Sequence, residues 1–133
     1  MVLVDTSVWV DVFRDKSRAR GRLLERSTEA DDIFLTRFHQ IEILQGARDA
    51  KEWDLLDDYL AGQDYLEASP SIWAPAARIY FDLCRRGRMV RSTIDCCIAQ
   101  SALDHDVLLL HRDRDFEPIA TIRPLRQRRM AWS

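Results

Sequence analysis

Val107-Leu108-Leu109-Leu110-His111-Arg112-Asp113-Arg114-Asp115-Phe116 is the stretch on which the fold turns. Four apolar residues in a row, without polar alternation, describe a strand covered on both faces, as in a parallel sheet packed between helices. Two acids follow it at once in a polar turn. Near the other end of the chain the same pattern recurs: Val2-Leu3-Val4 runs into Asp5-Thr6-Ser7. There a hydroxyl or carboxylate can cap the helix suggested by Val8, Trp9, Val12 and Phe13.

The sequence between these two runs alternates in kind. A polar, Arg-rich stretch from Asp15 to Asp32 holds a helix around Leu23 and Leu24, and Ile33-Phe34-Leu35 reads as a brief strand. Thr36 caps a third helix with Phe38, Ile41 and Leu44 on one face. Trp53, Leu56 and Leu60 continue at helical spacing up to Gly62, and Tyr65-Leu66 forms a short strand before Pro70. Ser71 starts a helix through Ala77, Tyr80, Phe81 and Cys84 that Arg85-Arg86-Gly87 stops. Ser92 caps the next, which carries Ile94, Ile98, Ala102 and Leu103. The tail from Arg123 to Arg129 is either an edge strand or a loose end. Short apolar strands alternating with longer amphipathic helices predict an α/β protein: a three-layer α/β/α sandwich around a mainly parallel sheet of four to five strands.

Composition agrees with one ordinary domain spanning residues 1–133. The chain has 47% hydrophobic and 32% charged residues, with only four Gly and four Pro, so disorder is not expected. Cys84, Cys96 and Cys97 are odd in number and lack metal-ligand spacing, which predicts reduced thiols in a cytoplasmic protein and argues against a zinc site. The opening residues have neither the basic region nor the long apolar region of a secretion signal, and no apolar run reaches membrane-spanning length. With 20 basic against 22 acidic residues the net charge is −2, so any attraction to nucleic acid must be local. All the basic residues except Lys16 and Lys51 are Arg. This skew either serves phosphate recognition or follows from a GC-rich genome.

In open parallel sheets the functional crevice lies beyond the carboxyl ends of the strands, which singles out Asp5, Asp113 and Asp115. Glu42 and Asp95 stand out differently: both sit among apolar neighbours in helices, Glu42 between Ile41 and Ile43, Asp95 between Ile94 and Cys96-Cys97. A charge there costs free energy unless something pairs with it. Each acid taken alone has a structural reading. Asp5 can cap the first helix, Asp95 can complete a capping box with Ser92, Glu42 can pair with Arg37 or Arg48, and Asp113 with Asp115 can form a solvated turn. Together, two strand ends and two helices can bring four or five carboxylates into one crevice. Their repulsion would raise their pKa values unless a cation bound them. Hard oxygen donors suit Mg²⁺ or Mn²⁺.

Four segments in this order resemble the PIN-domain signature as it occurs in VapC toxins, and the likeness covers nearly the whole chain. They are Val2–Ser7, Ile41-Glu42-Ile43-Leu44-Gln45-Gly46-Ala47, the run from Val90 to Ala99, and His111–Phe116. The resemblance implies a magnesium-dependent endoribonuclease, with Asp5, Glu42, Asp95 and Asp113 as catalytic metal ligands, Asp115 as a fifth contributor, and Thr6 or Ser7 in support. Manganese would substitute. It further implies a homodimer held in complex with a VapB-type antitoxin that covers the active-site groove. The alternative is a PIN-like scaffold that has lost activity and only binds. His111 departs from the Thr or Ser of many relatives, either contacting substrate and tuning Asp113 or serving as a satisfied structural residue.

Arg85, Arg86, Arg88 and Arg91 precede the Asp95 helix and are expected to hold RNA phosphates or antitoxin carboxylates. Arg112 and Arg114, interleaved with Asp113 and Asp115, either hold phosphate or neutralise the carboxylates. Gly46, one turn beyond Glu42, leaves room for metal or RNA, or packs against backbone. Trp9, Phe13, Trp53, Trp73 and Trp132 exceed what a small core readily uses, so some are candidates for a dimer or antitoxin groove. A phosphoacceptor receiver domain is disfavoured because Asp54 lies in a helical segment and no Lys follows Lys51. An aspartyl-nucleophile phosphohydrolase would need Asp where Ser7 stands.

Overall fold

The computed structural model describes residues 1–28 and 31–132. In chain order the elements are β1 (Val2–Val4), α1 (Thr6–Arg14), α2 (Ala19–Ser27), β2 (Ile33–Leu35), α3 (Arg37–Gln45), α4 (Ala50–Ala61), β3 (Asp64–Tyr65), α5 (Trp73–Arg85), α6 (Thr93–His105), β4 (Leu108–His111), α7 (Phe116–Ile122) and β5 (Gln127–Arg129). The five strands form one sheet in the order β3-β2-β1-β4-β5, and every neighbouring pair is parallel.

The apolar runs explain the layers. Along β1, Leu3 packs into a core with α5, α6 and α7, whereas Val2 and Val4 point into a second core with α1, α2, α3 and α4. Leu109 and Leu110 divide between the same two cores. Since successive strand residues face opposite sides, an uninterrupted apolar run is stable only when helices cover both. The expected three-layer α/β/α sandwich is therefore what the chain forms.

The strand order also locates the crevice. From β1 the chain proceeds to β2 on one side, and from β4 to β5 on the other, so the connections leaving these adjacent strands diverge. Their carboxyl ends make a topological switch point, where open α/β sheets place their ligands. Register is set there by the Asp5 N–H, which donates to the Leu110 carbonyl at 2.9 Å.

Local signals account for most boundaries. The side chains of Asp5, Thr36, Asp49 and Ser92 each accept a backbone N–H at the start of a helix. Helix α5 ends in a Schellman turn: Gly87 has φ +70°, and the Arg88 N–H reaches back to the Leu83 carbonyl at 2.9 Å. It begins at Trp73, two residues later than expected: Ile72 is the N-cap, with no side-chain cap bond, and the Ser71 hydroxyl bonds to Ser69 instead.

Several expectations need correction. Ile41 does not share a buried face with Phe38 and Leu44; it is 56% exposed, and α3 buries Phe38, His39 and Ile43 instead. The third strand pairs through Asp64 and Tyr65, one residue earlier than expected. The tail resolves as the edge strand β5, and α7, unexpected from the sequence, leads into it. Of the aromatic residues, Trp9 and Trp132 are core, while Phe13, Trp53 and Trp73 are largely exposed.

Among the described residues no helix is long and apolar enough to cross a membrane. All three cysteines are free, and burial pushes the Cys96 thiol up to about 12.

Leu109 is fully buried and Trp73 is 62% exposed. Leu109→Ala should accordingly lower the urea unfolding free energy by about 2–5 kcal/mol, and Trp73→Ala by about 0.5 kcal/mol or less. Equal losses would contradict the packing described.

Candidate active site

Five acids meet at the switch point. Asp5 leaves β1, Asp113 and Asp115 lie in the turn after β4, Asp95 sits in the first turn of α6, and Glu42 projects from the second half of α3. Ligand oxygens of Asp95, Asp113 and Asp115 all lie within 4.8 Å of one another. Asp5 and Glu42 stand outside this triad but border it closely enough that their charges bear on Asp95.

Each carboxylate is held by different means. Asp5, 3% exposed, accepts at Oδ2 from the Ser7 N–H (3.1 Å) and the Ser7 hydroxyl (2.6 Å), and its Oδ1 lies 3.0 Å from His39 Nε2. Burial alone would raise its pKa. The bonds from His39 and Ser7 outweigh that and hold the carboxyl below its ordinary value. The Ser7 hydroxyl also accepts the Arg112 N–H at 2.9 Å, tying the two strand ends together. Glu42 accepts from the Thr6 hydroxyl at 2.9 Å, yet burial and the charge of Asp5 raise its pKa. It pairs with neither Arg37 nor Arg48, which are engaged by Glu67 and Glu52.

Asp113 Oδ1 accepts from the Asp115 N–H at 2.9 Å, as in an Asx turn, but Asp115 is only 7% exposed, so the turn is not simply solvated. Arg91 bridges both acids, with Nη2 at 3.1 Å from Asp113 Oδ1 and Nε at 3.1 Å from Asp115 Oδ2. Its backbone N–H adds a third bond, to Asp115, at 2.9 Å.

Asp95 is the exception. It is 5% exposed, and among the described residues nothing donates a hydrogen bond to its carboxylate. The capping box does not form, since the Ser92 hydroxyl takes the Ile94 N–H and Asp95 does not reach back. Burial, reinforced by Asp113, Asp5, Glu42 and Asp115, pushes its pKa up to about 8. A nearly buried acid without a donor, beside two acids within 4.8 Å, is a donor set that a hard divalent cation satisfies. The residues present fit such an ion.

His111 is fully buried at the end of β4. Its Nδ1 accepts the Asp113 N–H at 3.1 Å and its Nε2 lies 2.6 Å from Gln127 Oε1, so it is a satisfied residue that fixes the backbone of Asp113. Arg112 turns away from the acids. It pairs with Asp11 at 2.9 Å, donates to the Met130 and Trp132 carbonyls, and lies over the Trp132 ring. Arg86 and Arg88 are exposed at the turn after α5 and form no ion pair with the cluster. A Cβ on Gly46 would meet only helix carbonyls, at 3.5 and 3.6 Å, so neither a tight backbone approach nor a cavity requires glycine there.

The residue that sequence reasoning missed is His39, fully buried against Asp5. One signal was available: Thr36-x-x-His39 has capping-box spacing with His in the position usually taken by Glu or Gln. It also places His39 one turn before Glu42.

A three-layer α/β/α domain with a carboxylate cluster at its switch point is the class that fold and site define, and comparison with known proteins narrows it. The PIN domain profile matches residues 2–122. Ribonuclease VapC11 of Mycobacterium tuberculosis is 38% identical over 125 residues, covering 92% of this chain and 93% of that one. Ribonuclease VapC51 of the same organism is 32% identical over 120 residues, covering 90% and 85%. In three dimensions, VapBC2 from Rickettsia felis, crystallised bound to a promoter DNA fragment, superposes with a TM-score of 0.80 at 16% identity, covering 98% of this chain and 100% of that one. The chain belongs to the PIN-domain family and, within it, to the VapC ribonucleases.

The raised pKa of Asp95 has a definite sign. In metal-free protein this group favours folding below about pH 4, and that contribution is lost as pH rises towards about 8. Asp5, held below its ordinary value, acts oppositely and loses its contribution as pH falls. In EDTA, Asp95→Asn should therefore gain on wild type between pH 4 and pH 8, by roughly 2–5 kcal/mol at the upper end in urea titrations. A difference independent of pH would show that Asp95 titrates normally.

Proposed function

We propose that this chain is the toxin of a VapBC-type toxin–antitoxin pair and acts as a Mg²⁺- or Mn²⁺-dependent endoribonuclease of the cytoplasm. The observation that carries this reading is the Asp95–Asp113–Asp115 triad, bordered by Asp5 and Glu42, in a chain that is 38% identical to a VapC ribonuclease. Those five carboxylates would hold the cation. Bound there, a divalent ion lowers the pKa of a coordinated water and stabilises charge on a scissile phosphate.

The chain's own residues supply the geometry. Ser7 and His39 hold Asp5, Thr6 holds Glu42, and His111 together with the Asp115 N–H holds the Asp113 turn. Arg91, with a side chain 73% exposed at the rim of the cluster, is suited to hold an RNA phosphate beside these acids. Arg86 and Arg88 extend the basic rim along the substrate path. Arg112 contributes through the tail it anchors, a less direct role than phosphate contact.

A groove of about 480 Å³ supports the antitoxin partner. It runs between α1, α3 and α4, lined by Phe13, Ile43, Leu55, Leu56 and Tyr59, and it reaches Glu42. An amphipathic helix laid in it would bury the apolar wall while its end blocks the acids. The homodimer finds support in exposed apolar residues elsewhere: Trp73, packed edge-on against Phe38, and Ile41 one turn along α3.

Purified protein should cut cellular RNA with Mg²⁺ or Mn²⁺, not with EDTA, and leave 5′-phosphate and 3′-hydroxyl ends. Asp5→Asn and Asp95→Asn should each reduce cutting at least 100-fold. Cyclic 2′,3′-phosphate products would refute hydrolysis by water, and absence of cutting on every RNA pool would favour a binding scaffold. In a separate titration, Leu55→Asp should weaken antitoxin binding at least tenfold by calorimetry; unchanged affinity would move the antitoxin to another surface.

A further inference from the structure

The imidazole of His39 has both nitrogens committed. Nδ1 lies 3.0 Å from the Thr36 backbone nitrogen, which can only donate, so Nδ1 accepts and the ring proton resides on Nε2. Nε2, 3.0 Å from Asp5 Oδ1, is therefore the donor of that bond. The oxygens of Asp5 are not equivalent. Oδ2 receives two donors from Ser7, the backbone N–H and the hydroxyl, which occupy both of its lone pairs. Oδ1 receives only His39 and keeps one lone pair free.

We propose that His39 is a positioning residue for the cation: it fixes Oδ1 of Asp5, the one oxygen of that carboxylate still able to bind an ion, and sets the direction of its free lone pair. This rests on reading the acidic cluster as a divalent-cation site. Partners of this kind orient the groups that touch a metal, and their loss typically weakens metal affinity about 10–100-fold. The competing explanation is that His39 only caps α3. A cap requires the acceptor Nδ1 alone and makes no use of Nε2.

The two roles separate by substitution. His39→Met removes both bonds. His39→Gln offers an amide oxygen for the Thr36 N–H and an amide N–H for Asp5. Thr36→Val removes the hydroxyl, which accepts the His39 N–H and also lies 3.0 Å from Nδ1, but keeps the Thr36 backbone N–H that fixes the ring and leaves the Nε2 bond to Asp5 untouched. Mn²⁺ binding to the full chain, followed by the spin-resonance signal of the free ion alongside thermal melts, should show a loss of about 10–100-fold for His39→Met and recovery of most of it for His39→Gln. Thr36→Val should melt earlier yet bind Mn²⁺ as wild type does. A folded His39→Met that binds like wild type, or equal losses in all three variants, overturns the proposal. Nitrogen NMR of the wild-type imidazoles serves if His39→Met does not fold. His39 should be the Nε2–H tautomer, and its Nε2 resonance should move on Mg²⁺ addition while that of exposed His105 stays; an unmoved His39 overturns the proposal. Wild type that binds no Mn²⁺ brings down the cation site and this inference together. Wild type that binds, with His39→Met unaffected, brings down this inference alone.

Discussion

Mutual repulsion among five carboxylates is the constraint around which this molecule is organised. Gathered at the edge of a low-dielectric core, they would drive the strand ends apart unless each were stabilised or discharged. Asp5 is stabilised by Ser7 and His39, and Asp113 and Asp115 by Arg91, while the Thr6 bond to Glu42 only partly offsets its burial and the charge of Asp5. Asp95 has no such donor and holds its proton to about pH 8. What opposes the repulsion is the sheet beneath: Leu3, Leu109 and Leu110 are fully buried between two helical layers and hold the two strand ends side by side.

The acids at strand ends were legible in the sequence because two simple rules coincide there. An unbroken apolar run marks a strand covered on both sides, and the residue after such a strand faces the crevice. Asp5, Asp113 and Asp115 follow from that, and the strand at Val2–Val4 and the caps at Thr36 and Ser92 were legible for equally local reasons. Asp95 was legible because a charge beside Ile94 and Cys96 needs an explanation.

What remained hidden depends on contacts between segments distant in sequence. Ile41 looked like a core residue by helical spacing, but α3 turns its Phe38–His39–Ile43 side inward so that His39 meets Asp5, thirty-four residues away. The buried stripe of that helix thus includes a polar residue, which defeats a hydrophobic pattern. Helix α7 is seven residues long and contains Pro118, too short and too interrupted for periodicity to register. Arg112 read as either a phosphate ligand or a neutraliser of the carboxylates from its place beside Asp113, yet its direction is set by Asp11 and the tail carbonyls, which spacing along the chain does not encode.

Pairing of β1 with β4 joins residues 2–4 to residues 108–110, almost the full length of the chain. Chains are synthesised from the N-terminus, so a nascent polypeptide displays Asp5 and Glu42 long before Asp113 and Asp115 exist. Until β4 has emerged and slotted beside β1, the crevice lacks one wall and the triad lacks two of its three acids. In a protein of this topology the carboxylate cluster is therefore assembled by the pairing of β1 with β4, and neither half of the sheet carries it alone.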